Sequence, residues 1–273
     1  MIKIIESYIC SKSKEQSLCE DGLFIGDNVI AVIDGVTSKG TLKWNGSSSG
    51  KYAMNVIINT LKNGVSTESP LVFFSEINEK LKNSMKLHPK CERKEKPRAS
   101  IIAYIMDKHQ IWSYGDCKCI VGEIHYNHEK VIDRILANKR ADVIKKCLSN
   151  SNSIIELQHR DLGRESIMDE LENQFNYENV HFMVNEYDYG YPVLNGDIIC
   201  EDMISIHSAN KGDTVILASD GYPILKNTLK ESEIKLANII DEDPLCYKEY
   251  KSTKGIKEGN VSFDDRTYIR FEV

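Results

Sequence analysis

The sequence predicts one domain of mixed α and β structure, spanning residues 1–273. Short apolar runs alternate along the chain with stretches that repeat apolar residues at helical spacing. No linker-like or repeated segment divides the chain. Two apolar runs, Ser100 to Met106 and Gln110 to Ile124, flank the turn-like Asp107-Lys108-His109 and predict a hairpin. A hairpin disfavours a purely parallel sheet.

The first half of the chain predicts a strand, two helices and an exposed connection. Val29 to Ile33 is a continuous apolar run of strand length. Helical spacing of apolar residues follows from Tyr52 to Leu61, and again from Leu71 to Leu81 after the cap and first-turn pair Ser69-Pro70. The charged segment Lys90 to Arg98 is predicted to be a solvent-exposed loop that returns to the sheet.

The second half is less regular. A helix is predicted over Glu129 to Leu148, ended by a Ser/Asn-rich segment, whereas no element is predicted for residues 154–195. Thr214 to Ser219 reads as a buried strand and Leu229 to Ile240 as a helix. Asp243-Pro244 is predicted to start a further helix that Gly255 ends. The last strand is predicted to place these residues on one face: Thr267, Ile269, Phe271 and Val273.

Composition excludes several classes of protein. The hydrophobic share of 41% is ample for a large core in a chain of 273 residues. The formal charge of -6 disfavours nucleic acid and anionic membranes as partners, since both attract basic surfaces. The sequence shows no targeting segment and no apolar run long enough to span a bilayer. The eight cysteines form no CxxC framework, so free thiols and a cytoplasmic location are expected.

Aspartates at the ends of strand-like runs are the main functional signal. They are Asp34, Asp116, Asp220 and Asp264. A carboxylate just past a strand is held by a rigid element and projects from the sheet edge, where remote segments can build an oxygen-lined cation site. Clustered carboxylates repel one another unless cations or basic groups compensate them. The pattern therefore predicts a site for magnesium, manganese or calcium.

A pair of such ions suits hydrolysis of a phosphate ester. Two divalent ions a few ångströms apart can bind a phosphoryl oxygen and lower the pKa of a bridging water, so that hydroxide forms near neutral pH. No covalent enzyme intermediate is then needed.

Singly, each Asp-Gly pair is ordinary turn chemistry, but the ordered set of local motifs is more specific. The set comprises Glu20-Asp21, Val32-Ile33-Asp34-Gly35, Ser113-Tyr114-Gly115-Asp116, Leu217-Ala218-Ser219-Asp220-Gly221 and Asp264-Asp265-Arg266-Thr267. On these motifs, nearly the whole chain resembles the metal-dependent serine/threonine protein phosphatases, the PPM or type 2C family. Arg98-Ala99-Ser100 matches the small-residue segment of that family poorly.

The resemblance implies both a fold and an activity. The fold would be a four-layer α/β/β/α sandwich of class α+β, with two antiparallel sheets packed face to face and flanked by helices. The activity would be hydrolysis of phosphoserine and phosphothreonine in proteins with two Mn2+ or Mg2+ ions per chain. A phosphoprotein or phosphopeptide is the implied substrate, and a serine/threonine kinase is the implied functional counterpart.

The resemblance also implies a role for each matching residue. Asp34 would bridge the two ions, and the backbone carbonyl of Gly35 would help to hold one of them. Asp220 and Asp264 would complete the other ion site, and Asp116 with Asp220 would hold a third, weaker ion. Two further acidic residues would act through water, Glu20 on a metal-bound water and Asp21 on the surrounding water network.

Two positions depart from the family pattern. Gln16 stands where many members have an arginine that grips the substrate phosphate, so the bidentate clamp is missing there. Lys12 or Lys14 offers positive charge from the same segment, although an exposed lysine more often only solubilises a surface. Val36 stands where many eukaryotic members have a histidine that can protonate the leaving group, a task that water can also perform.

Two alternatives remain open at this stage. A catalytically weak or inactive relative would keep the fold and bind phosphoproteins as a regulator. A haloacid-dehalogenase-type phosphatase would use Asp34 as nucleophile, but the second aspartate that it needs two residues later is Val36. The retained carboxylates favour an active metal-dependent phosphatase, because a purely structural role does not need so many like charges in one place.

Overall fold

A computed structural model describes residues 2–37 and 40–273 of the chain. Its strands, numbered in chain order, are β1 Lys3–Cys10, β2 Asp21–Ile25, β3 Val29–Gly35, β4 Ala99–Ile105, β5 Gln110–Tyr114, β6 Lys118–Val121, β7 Ile124–Tyr126, β8 Met183–Val184, β9 Tyr187–Asp188, β10 Ser205–Ser208, β11 Thr214–Ala218 and β12 Arg266–Glu272. Its α-helices are α1 Ser49–Lys62, α2 Pro70–Ser84, α3 Val131–Ser149, α4 Ile154–His159, α5 Leu162–Glu165, α6 Met168–Asn173 and α7 Leu229–Glu242.

Two five-stranded sheets form the centre of the molecule. Sheet I has the order β1-β12-β11-β6-β7, and sheet II has the order β10-β5-β4-β3-β2. Every pair of neighbouring strands in both sheets is antiparallel. The two remaining strands, β8 and β9, pair only with each other.

The side chains of β3 show how the layers are arranged. Ile30 and Val32 pack between the sheets against Leu217 and other residues of sheet I. Ala31 and Ile33 point to the opposite face, where α1 and α2 cover sheet II. Both faces of β3 are buried, so the strand is apolar throughout instead of alternating apolar with polar residues.

Helix α7 covers the outer face of sheet I, where Leu236 packs with Ile216 and Tyr268. Four layers result, in the order α1–α2, sheet II, sheet I and α7. The predicted α+β sandwich of two antiparallel sheets flanked by helices is therefore confirmed.

Helices α1 and α2 form where the sequence predicts them. The Ser48 and Ser69 hydroxyls accept hydrogen bonds from the backbone N–H groups of Lys51 and Val72, which caps the two helices. Pro70 occupies the first helical position of α2, where its missing N–H costs nothing. Helices α3 and α7 also match their predicted segments within a few residues.

The apolar run Gln110 to Ile124, predicted as one strand, is in fact divided between the sheets. Strand β5 belongs to sheet II, whereas β6 and β7 belong to sheet I. The predicted hairpin of β4 and β5 is confirmed. The chain leaves β5 at Gly115, whose φ of +129° is open to glycine and strained for other residues. This break carries Asp116 to the end of both sheets.

The helix predicted to begin at Asp243-Pro244 does not form. The Asp243 carboxylate accepts hydrogen bonds from the backbone N–H groups of Tyr247 at 2.8 Å and Lys248 at 2.7 Å, four and five residues later, instead of capping a first helical turn. Cys246 then adopts a φ of +48°, which turns the chain instead of continuing it.

The prediction that Lys90 to Arg98 is entirely a solvent-exposed loop is wrong at its end. Arg98 is only 7% exposed, and its guanidinium lies 2.6 Å from the carboxylate of Glu178. Glu178 belongs to residues 154–195, for which the sequence predicts no element. That segment forms short helices and the β8–β9 ribbon, and Leu171 and Val193 within it pack against α3.

Two further observations concern the class of protein. Within the described residues, no helix combines the length and the apolar character needed to cross a membrane. All eight cysteines lie in the described part of the chain, and none of them forms a disulfide.

Candidate metal centre

The antiparallel register brings the predicted site residues to one end of both sheets. In sheet II, Asp34 near the end of β3 faces Asp21 at the start of β2 and Ser100 at the start of β4. In sheet I, Asp220 follows the end of β11, and Asp264 precedes the start of its neighbour β12. Strand ends that are remote in sequence therefore meet in space.

Three of the aspartates form a tight cluster. Asp34, Asp116 and Asp220 each offer a carboxylate oxygen, and these oxygens lie within 4.8 Å of one another. With Gly35 and Asp264, the three residues line a cavity of about 370 Å³. The geometry thus places all four strand-end aspartates on one cavity and brings three into mutual contact range.

Burial and mutual repulsion together raise the pKa values of two carboxyl groups in this cluster. Burial and the neighbouring carboxylates of Asp220, Asp21 and Asp116 hold the pKa of Asp34 well above its usual range. Burial, with Asp116 and Asp264 nearby, raises the pKa of Asp220 to about 6. Without a cation, the protonated form is therefore favoured at Asp34 and becomes favoured at Asp220 below about pH 6.

The donor set fits a hard divalent cation. The carboxylates of Asp34 and Asp220 accept no hydrogen bond from the described residues. Asp21 is 4% exposed, yet its Oδ2 has no hydrogen-bond partner. Burial, followed by the charges of Asp264 and Asp265, raises the pKa of Asp21 as well. Unpaired buried carboxylate oxygens are the ligands that magnesium and manganese prefer.

Lysines compensate part of the negative charge. Lys12 Nζ lies 3.2 Å from Glu20 Oε2, and 3.4 Å from oxygens of both Asp264 and Asp265. The Lys254 ammonium group also contacts the Asp264 carboxylate. Burial opposes ionisation of Asp264, but Lys254 and Lys12 outweigh it and lower the pKa of this carboxyl to about 2. Asp264 thus differs from Asp34 and Asp220, because protein cations already hold its charge.

Asp265, adjacent to the cluster, ties three segments of the site together. The residue is 2% exposed. Its carboxylate accepts hydrogen bonds from the backbone N–H groups of Lys12 at 2.7 Å and Glu20 at 2.9 Å, and from the Ser11 hydroxyl at 3.3 Å. These contacts position Glu20, whose Oε1 accepts a hydrogen bond from Ser48 Oγ at 2.5 Å.

Gly35 is required by close backbone packing. A methyl group on its α-carbon would lie 2.4 Å from the carbonyl oxygen of Gly50 and 2.6 Å from that of Glu20. Both contacts are with backbone, which cannot move aside without shifting β2 or α1. This packing explains glycine after Asp34 independently of any metal ligand role, which stays a prediction for its carbonyl group.

The structure places the candidate phosphate-binding residues, and the residue after Gly35, in different surroundings. Gln16 is exposed, and its Oε1 accepts a hydrogen bond from the backbone N–H of Ser11 at 2.9 Å. Lys14 is also exposed. Lys12 reaches the site, but three carboxylates surround its ammonium group. Val36 packs in an apolar cluster with residues such as Tyr191.

Sequence reasoning missed the basic residues of the cavity wall. The lysines and arginine that line it are Lys118, Lys130, Arg134, Lys251 and Lys254. Lys118 Nζ donates to the carbonyl oxygens of Tyr222 at 2.7 Å and Pro223 at 3.0 Å. None of these basic residues stands in a motif or at a characteristic spacing, so no local signal marks them.

Comparison with solved structures shows that the two-sheet sandwich of this chain is the fold of PPM-type serine/threonine phosphatases. The serine/threonine phosphatase PstP of Mycobacterium tuberculosis covers 100% of this chain and 99% of its own, with 12% identity and a TM-score of 0.52. Its catalytic domain with two manganese ions aligns over the same shares, with 12% identity and a TM-score of 0.51. Serine/threonine phosphatase Stp1 of Staphylococcus aureus covers 100% of this chain and 95% of its own, with 13% identity and a TM-score of 0.52.

At these identities the likeness defines the fold of the chain and not its activity. No family model matches the sequence, and no curated protein matches it. The fold predicted from the resemblance is thus confirmed by structure alone.

The affinity of the cluster for manganese should depend on pH. A carboxylate binds the ion only when deprotonated, and the pKa of Asp220 is about 6 in the metal-free protein. Since this pKa is raised, protons compete with the ion as pH falls through it. Between about pH 7.5 and about pH 5.5, proton competition at Asp220 should lower the apparent affinity by about fourfold in total. Calorimetric titration with MnCl2 at the two pH values measures the change, and equal affinities would contradict the assignment.

Proposed function

We propose that this protein is a metal-dependent phosphatase that hydrolyses phosphoserine and phosphothreonine in proteins, using two Mn2+ or Mg2+ ions. One observation carries the proposal: Asp34, Asp116 and Asp220 converge within 4.8 Å on a cavity at the end of the two sheets. The solved phosphatases that share this fold support it, one of them in complex with two manganese ions.

The residues of this chain would divide the work as follows. Asp34 and Asp220, whose carboxylates accept no hydrogen bond from the described residues, would hold the ions together with Asp264 and the carbonyl group of Gly35. Glu20 would act through water, supported by the buried oxygen of Asp21 that has no partner. When bound, the ions would supply the Lewis acidity that activates solvent for attack on phosphorus.

The cavity wall suits an anionic substrate. Lys118 and Lys254 line it beside the carboxylates, and Arg134 lies on its α3 side. These groups offer positive charge that Gln16 cannot supply, because the glutamine side chain is neutral. A phosphate ester carried by a protein or peptide would enter here. In this proposal the enzyme removes, in the cytoplasm, phosphate groups that a serine/threonine kinase has added.

A second candidate function has its own observation. Lys12 and Lys254 compensate Asp264 with protein cations, and the arginine and histidine of many family members are absent at Gln16 and Val36. A protein of this kind would bind phosphoproteins and release them unchanged, as a regulator. The unpaired carboxylates of Asp34 and Asp220 favour the enzyme, because regulation alone gives no reason to retain their mutual repulsion.

One experiment separates the two functions. The purified protein is incubated with p-nitrophenyl phosphate and with a phosphothreonine peptide, in MnCl2 or in EDTA, and released phosphate is measured alongside peptide binding. Phosphate release that requires manganese is the expected result for the enzyme. Peptide binding without release would instead support the regulator. Neither release nor binding with any metal would reject both functions.

A further inference from the structure

Asp116 differs from the other two members of the acidic cluster, because both of its carboxylate oxygens already contact protein groups. Oδ2 lies 2.6 Å from Lys130 Nζ, and Oδ1 accepts a hydrogen bond from Ser100 Oγ at 2.5 Å. Asp34 and Asp220 accept no hydrogen bond from the described residues. Protein groups therefore satisfy the carboxylate of Asp116, whereas the carboxylates of Asp34 and Asp220 are left for a ligand.

Lys130 is held firmly in this position. It is the residue immediately before α3, so the helix fixes its backbone. Its side chain is 13% exposed, and its ammonium group lies 4.9 Å from the ring centroid of Tyr191. The ring face attracts the cation, and Tyr191 is anchored in turn by the hydrogen bond from its hydroxyl to the Gln174 carbonyl oxygen at 3.2 Å. A displaced Lys130 would lose contact with both the carboxylate and the ring.

Ser100 is held equally closely. A methyl group on the α-carbon of Gly115 would lie 2.2 Å from Ser100 Cβ. The missing side chain at Gly115 thus allows Ser100 to approach the β5–β6 connection and donate to Asp116. Both partners of Asp116 are set by the packing of backbone elements.

We propose that the ammonium group of Lys130 takes the place of a third divalent cation at Asp116, so that the protein binds two ions and supplies the third positive charge from its own chain. The inference concerns metal binding by the proposed phosphatase site and rests on that function. A divalent ion at Asp116 would have to compete with a cation already in contact with the carboxylate, and like charges repel. The lysines that contact Asp264 are more exposed than Lys130, with side chains 23% and 29% exposed against 13%, so they can turn to solvent when an ion binds there. The protein therefore binds no third ion at Asp116, although the family resemblance implies one there.

The test is the number of manganese ions bound per chain, counted by calorimetric titration with MnCl2 and by metal analysis of protein equilibrated with excess MnCl2. The wild-type protein should bind two ions. Lys130→Met keeps the length and apolar stem of the side chain but removes the charge, and it should bind three. Lys251→Met is the matched control: this exposed lysine lines the same cavity and donates to Asn138, so its loss should leave the count at two.

A second variant guards against misfolding of Lys130→Met. Asp116→Asn in the wild-type background should still bind two ions, because Asp116 holds none. Three ions in the wild-type protein, a loss of one ion in Asp116→Asn, or an unchanged count in folded Lys130→Met would each overturn the inference, as would a wild-type protein that binds none. Failure of the proposed function looks different: the counts of two and three would stand, but no phosphate would be released.

Discussion

Asp34→Asn is expected to reduce manganese-dependent hydrolysis of p-nitrophenyl phosphate by at least about 1,000-fold. Asp34 offers the cluster a carboxylate oxygen that lies within 4.8 Å of oxygens from Asp116 and Asp220. Asparagine keeps the shape of the side chain but removes the negative charge that attracts a divalent ion. Initial rates at saturating MnCl2 measure the effect.

The same substitution should not destabilise the metal-free protein. The pKa of Asp34 is raised by burial and by its acidic neighbours, so its charged form is unfavourable in the folded state. Removing that charge is expected to raise the melting temperature in EDTA, which separates loss of activity from loss of fold. Asp27→Asn is the matched control, because Asp27 is an exposed residue in the turn between β2 and β3. Equal rates for Asp34→Asn and Asp27→Asn would refute the assigned role.

Arg140→Met is expected to lower the free energy of unfolding by about 3 to 5 kcal/mol. Arg140 is fully buried in α3, and its Nη2 lies 2.7 Å from the carboxylate of Asp161. Its Nη1 donates to the carbonyl oxygens of Cys246 at 3.2 Å and Ser252 at 3.1 Å. Methionine fills much of the volume but removes the charge that faces the Asp161 carboxylate and the hydrogen bonds to two carbonyl groups.

Denaturant unfolding in EDTA measures the loss, with Lys139→Met as the control. Lys139 is the neighbouring residue of α3, and its ion pair with Glu170 is exposed, so its removal should cost less than about 1 kcal/mol. Arg140 also secures the segment that continues from Ser252 to Lys254 on the cavity wall. Weaker manganese binding should therefore accompany the loss of stability. Similar unfolding energies for the two variants would contradict this role.

Elements governed by neighbouring residues could be predicted from the sequence. The apolar run of β3 reflects burial on both faces, and the serine caps of α1 and α2 act within one turn of each helix. The motifs around Asp34 and Asp220 are likewise local, because each joins a strand to its turn. Their order along the chain was sufficient for the resemblance that predicted the fold.

Other features depend on partners that are remote in sequence. The division of Gln110 to Ile124 between two sheets depends on which strands are available to pair with β5 and β6. Arg98, predicted to be exposed, is buried because Glu178 reaches it from a segment that the sequence left without any predicted element. The pattern of charge and hydropathy along the chain does not indicate which remote strands or side chains will pair.

The candidate site shows the same division. Acidic residues at strand ends, and hence a cation site, follow from strand patterns that span fewer than about ten residues. Which carboxylates remain free is decided by Lys12, Lys130 and Lys254, whose partners Asp264 and Asp116 come from other strands and loops. Backbone patterns act over one or two turns, whereas an ion pair requires only closeness in space. Two antiparallel sheets packed face to face create that closeness at one end of the sandwich, and only the folded chain reveals which charges it brings together.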